Sequence, residues 1–323
     1  MLGGMRVNLM IEGQEGVTWP QWVALAGACE DHGLEGLFRS DHYATISPFL
    51  ERGTLDAWAT LLALAVVTSR IRLGTLVSPA TFRHPSVLAK SVVTADHVSD
   101  GRIELGLGAG WYADDHSRYG FPFPETRVRM QMLAEQLEIV HRQWHEESFS
   151  FEGKHYTLRD CHPEPKPVQR PHPPLIVGGS GGRGSATLAA RWADEYNTTS
   201  AAPEECARRR AVVAECWEQV GRDPATVRFS LMAGCVVGED RADAVRRAGR
   251  VAERRGWNAE DGQALLRETA GQWVAGTVDE AAARLREFED VGVERVMLQH
   301  LAHDDVDMVE LIGREVVPAV AAR

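Results

Sequence analysis

A (β/α)8 TIM barrel with insertions is the fold predicted by this sequence of 323 residues. Three observations predict it. Eight short apolar runs alternate with segments of helical spacing, and such alternation implies parallel pairing with right-handed crossovers. The runs end in Gly or polar residues, as strands do where a barrel gathers its site. The length suits one barrel with insertions, and 44% apolar residues supply its core. A doubly wound open sheet is the alternative arrangement, but its glycine-rich turn belongs after the first strand, and here it follows the fourth.

The elements follow in order. Arg6 to Ile11 alternates as a first strand. Trp19 to His32 has helical spacing, with Gly33 placed as its C-terminal cap. Gly36 to Arg39 is the second strand, ending at Ser40-Asp41-His42. Leu55 to Ser69 is an apolar helix. Ile71 to Val77 is the third strand, stopped by Ser78-Pro79. Pro85 to Ser99 is helical, and Arg102 to Leu107 is the fourth strand. Arg127 to Glu147 is a long amphipathic helix. Residues 148–173 read as an irregular, proline-rich excursion with a turn at Glu152-Gly153-Lys154. Pro174 to Val177 is the fifth strand, followed by a helix over 184–192. Asp194 to Thr198 is the sixth strand, Glu204 to Val220 a helix, and Val227 to Val237 the seventh strand. Residues 240–275 read as a charged helical insertion broken at Gly256 and Gly271. Val278 to Val291 is helical, Val293 to Gln299 is the eighth strand, and a terminal helix covers about 306–321. Residues 1–323 therefore read as a single domain.

Composition excludes several function classes. A net charge of −11 opposes nucleic acid as a partner, because phosphate backbones demand a basic face. No run of about 18 apolar residues marks a membrane span. The N-terminal residues lack the basic and apolar regions of a secretion signal, so a cytoplasmic protein is expected. The five cysteines, Cys29, Cys161, Cys206, Cys216 and Cys235, match no metal or disulfide spacing and are expected to be reduced thiols. His141 and His145 stand four apart on a helix, a spacing that can clasp a metal. No acidic or thiol partner stands nearby in sequence, so no metal is expected.

The richest stretch is Gly106-Leu107-Gly108-Ala109-Gly110-Trp111-Tyr112. Glycines at a strand end let the backbone turn and approach a flat or phosphorylated ligand closely. Trp111 and Tyr112 either wall a planar ligand or pack on the barrel top. Gly178-Gly179-Ser180-Gly181-Gly182 lies between a strand and a helix. Its amides form an anion site or simply a flexible turn. Asp41-His42 is the candidate for acid/base work, since His titrates near neutral pH and a carboxylate can fix its tautomer. Adjacent strand residues point oppositely, so Asp41 need not touch His42. A structural hydrogen bond is the other reading of His42. Arg83, in Phe82-Arg83-His84-Pro85, either holds an anion or sits where the next helix is capped.

These residues also form an ordered set. Ser40-Asp41-His42, Gly74-Thr75-Leu76-Val77-Ser78-Pro79, Phe82-Arg83-His84-Pro85 and Gly106-Leu107-Gly108-Ala109-Gly110-Trp111 resemble the luciferase-like monooxygenase superfamily. Glu152-Gly153-Lys154-His155-Tyr156, Pro165-Lys166-Pro167 and Leu175-Ile176-Val177-Gly178-Gly179-Ser180 continue the match in order. The likeness is strong over about residues 5–200 and looser beyond, and is greatest to the branch using the deazaflavin coenzyme F-420.

The resemblance implies a bacterial-luciferase-like barrel, usually a homodimer, with the cofactor across the strand C-termini. It places Asp41 and His42 near the deazaflavin ring and a non-prolyl cis peptide at Leu76–Val77 behind it. Gly108, Ala109, Gly110 and Trp111 lie along the ring or its tail, and Gly178, Gly179 and Ser180 at the phosphate end. The implied reaction is hydride transfer at the deazaflavin C5 to or from a small organic substrate, with His42 handling a proton. The family's sugar-phosphate dehydrogenases carry an acidic Glu where this chain has Trp111, which points away from glucose 6-phosphate and toward an apolar or aromatic substrate. Two alternatives stay open: an FMN-dependent monooxygenase fed by a separate flavin reductase, and a non-catalytic flavin-binding barrel.

Overall fold

The computed structural model describes residues 4–257 and 262–321. Eight parallel strands close the barrel: β1 (Arg6–Ile11), β2 (Gly36–Arg39), β3 (Arg72–Thr75), β4 (Ile103–Gly108), β5 (Leu175–Gly178), β6 (Glu195–Thr199), β7 (Arg228–Gly238) and β8 (Arg295–Gln299). Each pairs in parallel with the next, and β8 returns to β1 with Arg6 opposite Arg295 and Met10 opposite Gln299. Closure leaves no free edge in the ring.

Local chemistry starts the surrounding helices where the spacing places them. His84 accepts from the amide of Ser86 at 3.2 Å, and Pro85 opens the helix Pro85–Ser99, where a missing N–H costs nothing. Thr277 and Glu280 form a reciprocal capping box at Val278–Asp290. Gly33 takes a left-handed φ of 83° just past the helix Trp19–Asp31.

Side chains fill the barrel in layers. At the N-terminal end, Arg295 is fully buried against Glu104, with Oε2 of Glu104 2.7 Å from Nη1. Glu195, Glu35 and Asn8 complete its shell at 3.1–3.2 Å, and Phe38 lies beneath the guanidinium. Met10, Phe38, Leu76, Ile176 and Met297 form the apolar layer above. The helices pack the outer faces of the strands in a separate, larger core.

Four features depart from the sequence reading. Residues 148–173 are not wholly irregular: Phe149–Glu152 and Thr157–Cys161 pair as an antiparallel hairpin. Three hairpin amides, those of Lys154, His155 and Tyr156, donate to the Glu135 carboxylate at 2.8–3.1 Å. Long-range contacts of this kind leave no local periodicity. Residues 240–275 are not all helical either: helices Arg241–Arg255 and Gly262–Thr269 are followed by a strand, Val274–Thr277, paired to Cys235–Gly238 of β7. The part of that segment at 258–261 lies outside the described residues. The long β7 runs beyond the ring and offers the edge that this strand takes. A further short helix, Ala113–Tyr119, follows β4. Finally, β3 stops at Thr75, and Ser78-Pro79 does not end the pairing but resumes it against Leu107 and Gly108, beyond a cis Leu76–Val77 bond.

All five cysteines are unpaired. No described helix is long and apolar enough to cross a membrane.

Candidate active site

The strand ends converge on His42. Its Nδ1 lies 2.5 Å from Oδ2 of Asp115 in the helix after β4. Asp115 is buried, and its other oxygen accepts from the amides of Tyr43 at 2.8 Å and Ala44 at 2.6 Å. The carboxylate is thus fixed, and it orients the imidazole so that Nδ1 carries the proton and Nε2 is left for exchange. Burial pulls the His42 pKa down. The hydrogen bond and charge of Asp115, with Glu12 and Asp41 adding to them, outweigh burial and hold it above the ordinary value.

Asp41 stands next to His42 but serves another partner set. Its Oδ2 accepts from Ser78 Oγ at 2.6 Å and from the Arg83 guanidinium. Arg83 also donates to Asp56 at 2.8 Å, and Asp56 accepts from Tyr43 OH at 3.0 Å. Arg83 is therefore committed to two carboxylates and is not a free anion holder, while the helix cap is His84. This network fixes the loop after β2 onto the loop after β3.

Trp111 and Tyr112 flank the imidazole, each edge-on with ring centroids 5.7 and 5.9 Å away. Tyr112 is anchored through its OH to the Thr45 carbonyl at 2.8 Å. Trp111 is 63% exposed and is not packed into the barrel top. The indole thus stands in solvent beside the partly exposed His42.

The glycines have a different use from the one their spacing suggests. A Cβ on Gly108 would lie 2.8 Å from Val77 Cγ2, and one on Gly178 would lie 3.1 Å from Val77 Cγ1. On Gly106 it would lie 2.1 Å from the Thr75 carbonyl oxygen. The glycines at 106, 108 and 178 thus make room for the Leu76–Val77 bulge, whose Val77 side chain forms the floor of the mouth. Gly106→Ala should cost about 1–3 kcal/mol by overpacking, read as a lowered thermal midpoint by circular dichroism; an unchanged midpoint would remove this close-packing account. Ala109 packs on the helical core, and Gly110 takes φ 80° beneath Thr81 and Pro79.

At the other end of the mouth, Gly179 donates to the Asn197 carbonyl at 3.0 Å and sits under Tyr196 OH and Ser185. Its amide is spent. Ser180 and Gly182 are exposed, a Cβ on Gly182 would meet nothing within 4 Å, and the helix Arg183–Trp192 has no side-chain cap. The amide of Gly181 is also spent, donating to Tyr196 OH at 2.9 Å, so within the 178–182 stretch the open amides are those of Ser180 and Gly182, continued by those of Arg183 and Gly184 at the helix start.

Sequence reasoning missed two carboxylates. Glu12 directly follows β1, is buried, and accepts from the side-chain amides of Gln14 and Gln299. Its position past a strand end was the available signal. Asp115 sits in a short helix whose existence the local pattern did not disclose.

The family model described as luciferase-like monooxygenase matches residues 5–295, and the chain belongs to this family. An uncharacterized protein of Mycobacterium tuberculosis is 38% identical over 172 residues, 53% of this chain and 58% of that protein. The chain thus spans little more than half the length of this relative. An F420-dependent glucose-6-phosphate dehydrogenase of Microbacterium testaceum is 27% identical over 319 residues, covering 91% of both. Among solved structures, an F420-dependent secondary alcohol dehydrogenase superposes with a TM-score of 0.81 at 20% identity, over 98% of this chain and 99% of the other. A type II Baeyer-Villiger monooxygenase from Pseudomonas putida, in complex with FMN, superposes with a TM-score of 0.77 at 18% identity and 98% coverage of each. At these identities the two structures establish the shared fold.

Proposed function

We propose that this protein is an oxidoreductase that binds coenzyme F-420 across the barrel mouth and moves a hydride between the deazaflavin C5 and a small organic substrate. The observation that carries the reading is the His42–Asp115 pair, a partly exposed imidazole whose tautomer a buried carboxylate fixes, beside an exposed aromatic wall. The choice of cofactor is supported by the sequence relatives named F420-dependent that align along nine-tenths of the chain.

The residues present fit such a group. Val77 offers an apolar floor between Gly108 and Gly178, and the exposed amides of Ser180 and Gly182, with the uncapped first turn of the helix Arg183–Trp192, offer an anion cradle. When bound, F-420 supplies a two-electron hydride donor or acceptor. The chain supplies the rest. His42 Nε2 gives a proton to a substrate oxygen, or takes one from it, as the hydride moves at the adjacent carbon. Asp115 keeps Nδ1 protonated and stabilises the imidazolium. Trp111 stands where it stacks or edges against an apolar or aromatic substrate and has no acid to offer, which disfavours a sugar phosphate. The same proposal includes one barrel domain acting as a homodimer.

FMN also carries a phosphate, so the cradle does not separate the two cofactors. In that reading a flavin reductase would be the partner. Titration of the protein with F-420 and with FMN, followed by ligand fluorescence, decides it. Tight F-420 binding with weak FMN binding is expected; the reverse order overturns the deazaflavin reading, and binding of neither removes the enzymatic one.

A further inference from the structure

The helix Thr126–His145 runs back from the C-terminal end of β4, so its last turn lies at the opposite end of the barrel from His42. There the fold brings a third imidazole to His141 and His145. His172, just before β5, comes from the far end of the 148–173 excursion. One ring nitrogen from each of the three can be chosen so that all lie within 4.8 Å of one another.

Ring contacts describe the same cluster. His141 stacks on His145 with centroids 4.0 Å apart, and His172 stands across both at 5.5 and 5.0 Å. Two of the three are also already hydrogen-bonded as ligating histidines are. Nδ1 of His145 lies 2.7 Å from the His141 carbonyl oxygen, and Nδ1 of His172 lies 2.8 Å from that of Pro173. A carbonyl can only accept, so both Nδ1 atoms hold the proton and both Nε2 atoms keep a bare lone pair. A carbonyl that accepts from the far ring nitrogen and fixes the tautomer in this way is the usual companion of a metal-bound imidazole.

We propose that His141, His145 and His172 bind one divalent transition-metal ion of the zinc class. Three neutral imidazoles without a carboxylate select Zn2+, Ni2+ or Cu2+ over Mg2+ and Ca2+, which require oxygen ligands. A tetrahedral ion with Zn–N distances of about 2.0–2.1 Å holds its nitrogens about 3.4 Å apart. Small side-chain rotations close the trio to that spacing, and water takes the fourth position. His145 is exposed and leaves a path of entry, while His172 is largely enclosed against Trp144. The ion would staple the end of the helix to the returning strand of the excursion, remote from the redox mouth. It is independent of the F-420 reading.

The test uses the full chain without an affinity tag, stripped with chelator and then dialysed against zinc. One zinc per chain by elemental analysis, a raised melting midpoint and Co2+ absorption bands of tetrahedral intensity are expected. His145→Ala changes an exposed residue and should keep the metal-free melting midpoint while weakening zinc affinity at least about 100-fold. His172→Asn should weaken zinc binding likewise, and His155→Ala, on the hairpin, should leave binding unchanged. Absence of stoichiometric zinc in the wild type, or binding undiminished in His145→Ala, overturns the proposal.

Discussion

Replacing His42 with Asn is expected to lower turnover by about 10^2–10^4-fold, the usual worth of a positioned acid or base, while F-420 affinity changes only a few-fold. The imidazole contributes little to the floor formed by Val77, and the open amides of Ser180, Gly182 and the helix start belong to the loop after β5. Loss of turnover with retained fluorescence titration would place His42 in the proton step. Equal loss of binding would make it a binding residue instead. Asp115→Asn separates the role further. The Asp115 carboxylate is the chief influence holding the His42 pKa up against burial, so its removal must move the ionisation downward. In the wild type, a rate limb that needs protonated His42 falls as pH rises through a value above 6.5. In Asp115→Asn that limb should move to lower pH; an unmoved limb would assign it to another group.

The largest expected loss of stability comes from Glu104→Ala. Glu104 is buried at the N-terminal end of the barrel, bonded to Arg295 and to Arg72. Burial raises its pKa, but the two guanidiniums outweigh burial and bring it down to about 2 from the ordinary 4.5. Removing one partner of a buried pair leaves charge uncompensated and costs about 3–5 kcal/mol. Glu195 and Glu35 still face Arg295, which sets the expectation toward the lower end. At about 1.5 °C per kcal/mol for a chain of this length, the midpoint should fall by at least about 4 °C. Because the folded pKa is depressed, the stabilisation is complete above pH 4.5 and is lost as pH falls toward 2. Acid unfolding of the wild type should therefore steepen across that window, and the variant should lack that component. Replacing Arg295 as well by an apolar residue should destabilise further than Glu104→Ala alone, since the buried Glu195 then keeps only Arg6 at 3.6 Å. A double variant as stable as Glu104→Ala would show that Glu195 does not depend on Arg295.

Much of the frame was legible because its signals are local. Strand β2 and the helix Pro85–Ser99 begin and end where the residues said, since a glycine, a proline or a capping side chain marks each boundary. The strand Val274–Thr277 was not legible because it exists only by pairing with Cys235–Gly238, and the hairpin at Phe149–Cys161 because its register is irregular and its turn is held by the distant Glu135. The site divides in the same way. Asp41 and His42 were conspicuous at a strand end, but their adjacency concealed that one turns to Arg83 and the other to Asp115.

The sequence by itself determined the number and order of the barrel strands and the family. Periodicity, turn residues and ordered motifs are properties of neighbours along the chain, and they survive without coordinates. Only the tertiary structure decided which carboxylate holds His42, that the mouth's glycines yield space to Val77, that Arg295 plugs the barrel, and that His172 joins His141 and His145. Each of these depends on side chains from different βα units meeting in space, where burial and the need to pair every buried polar group choose the partner.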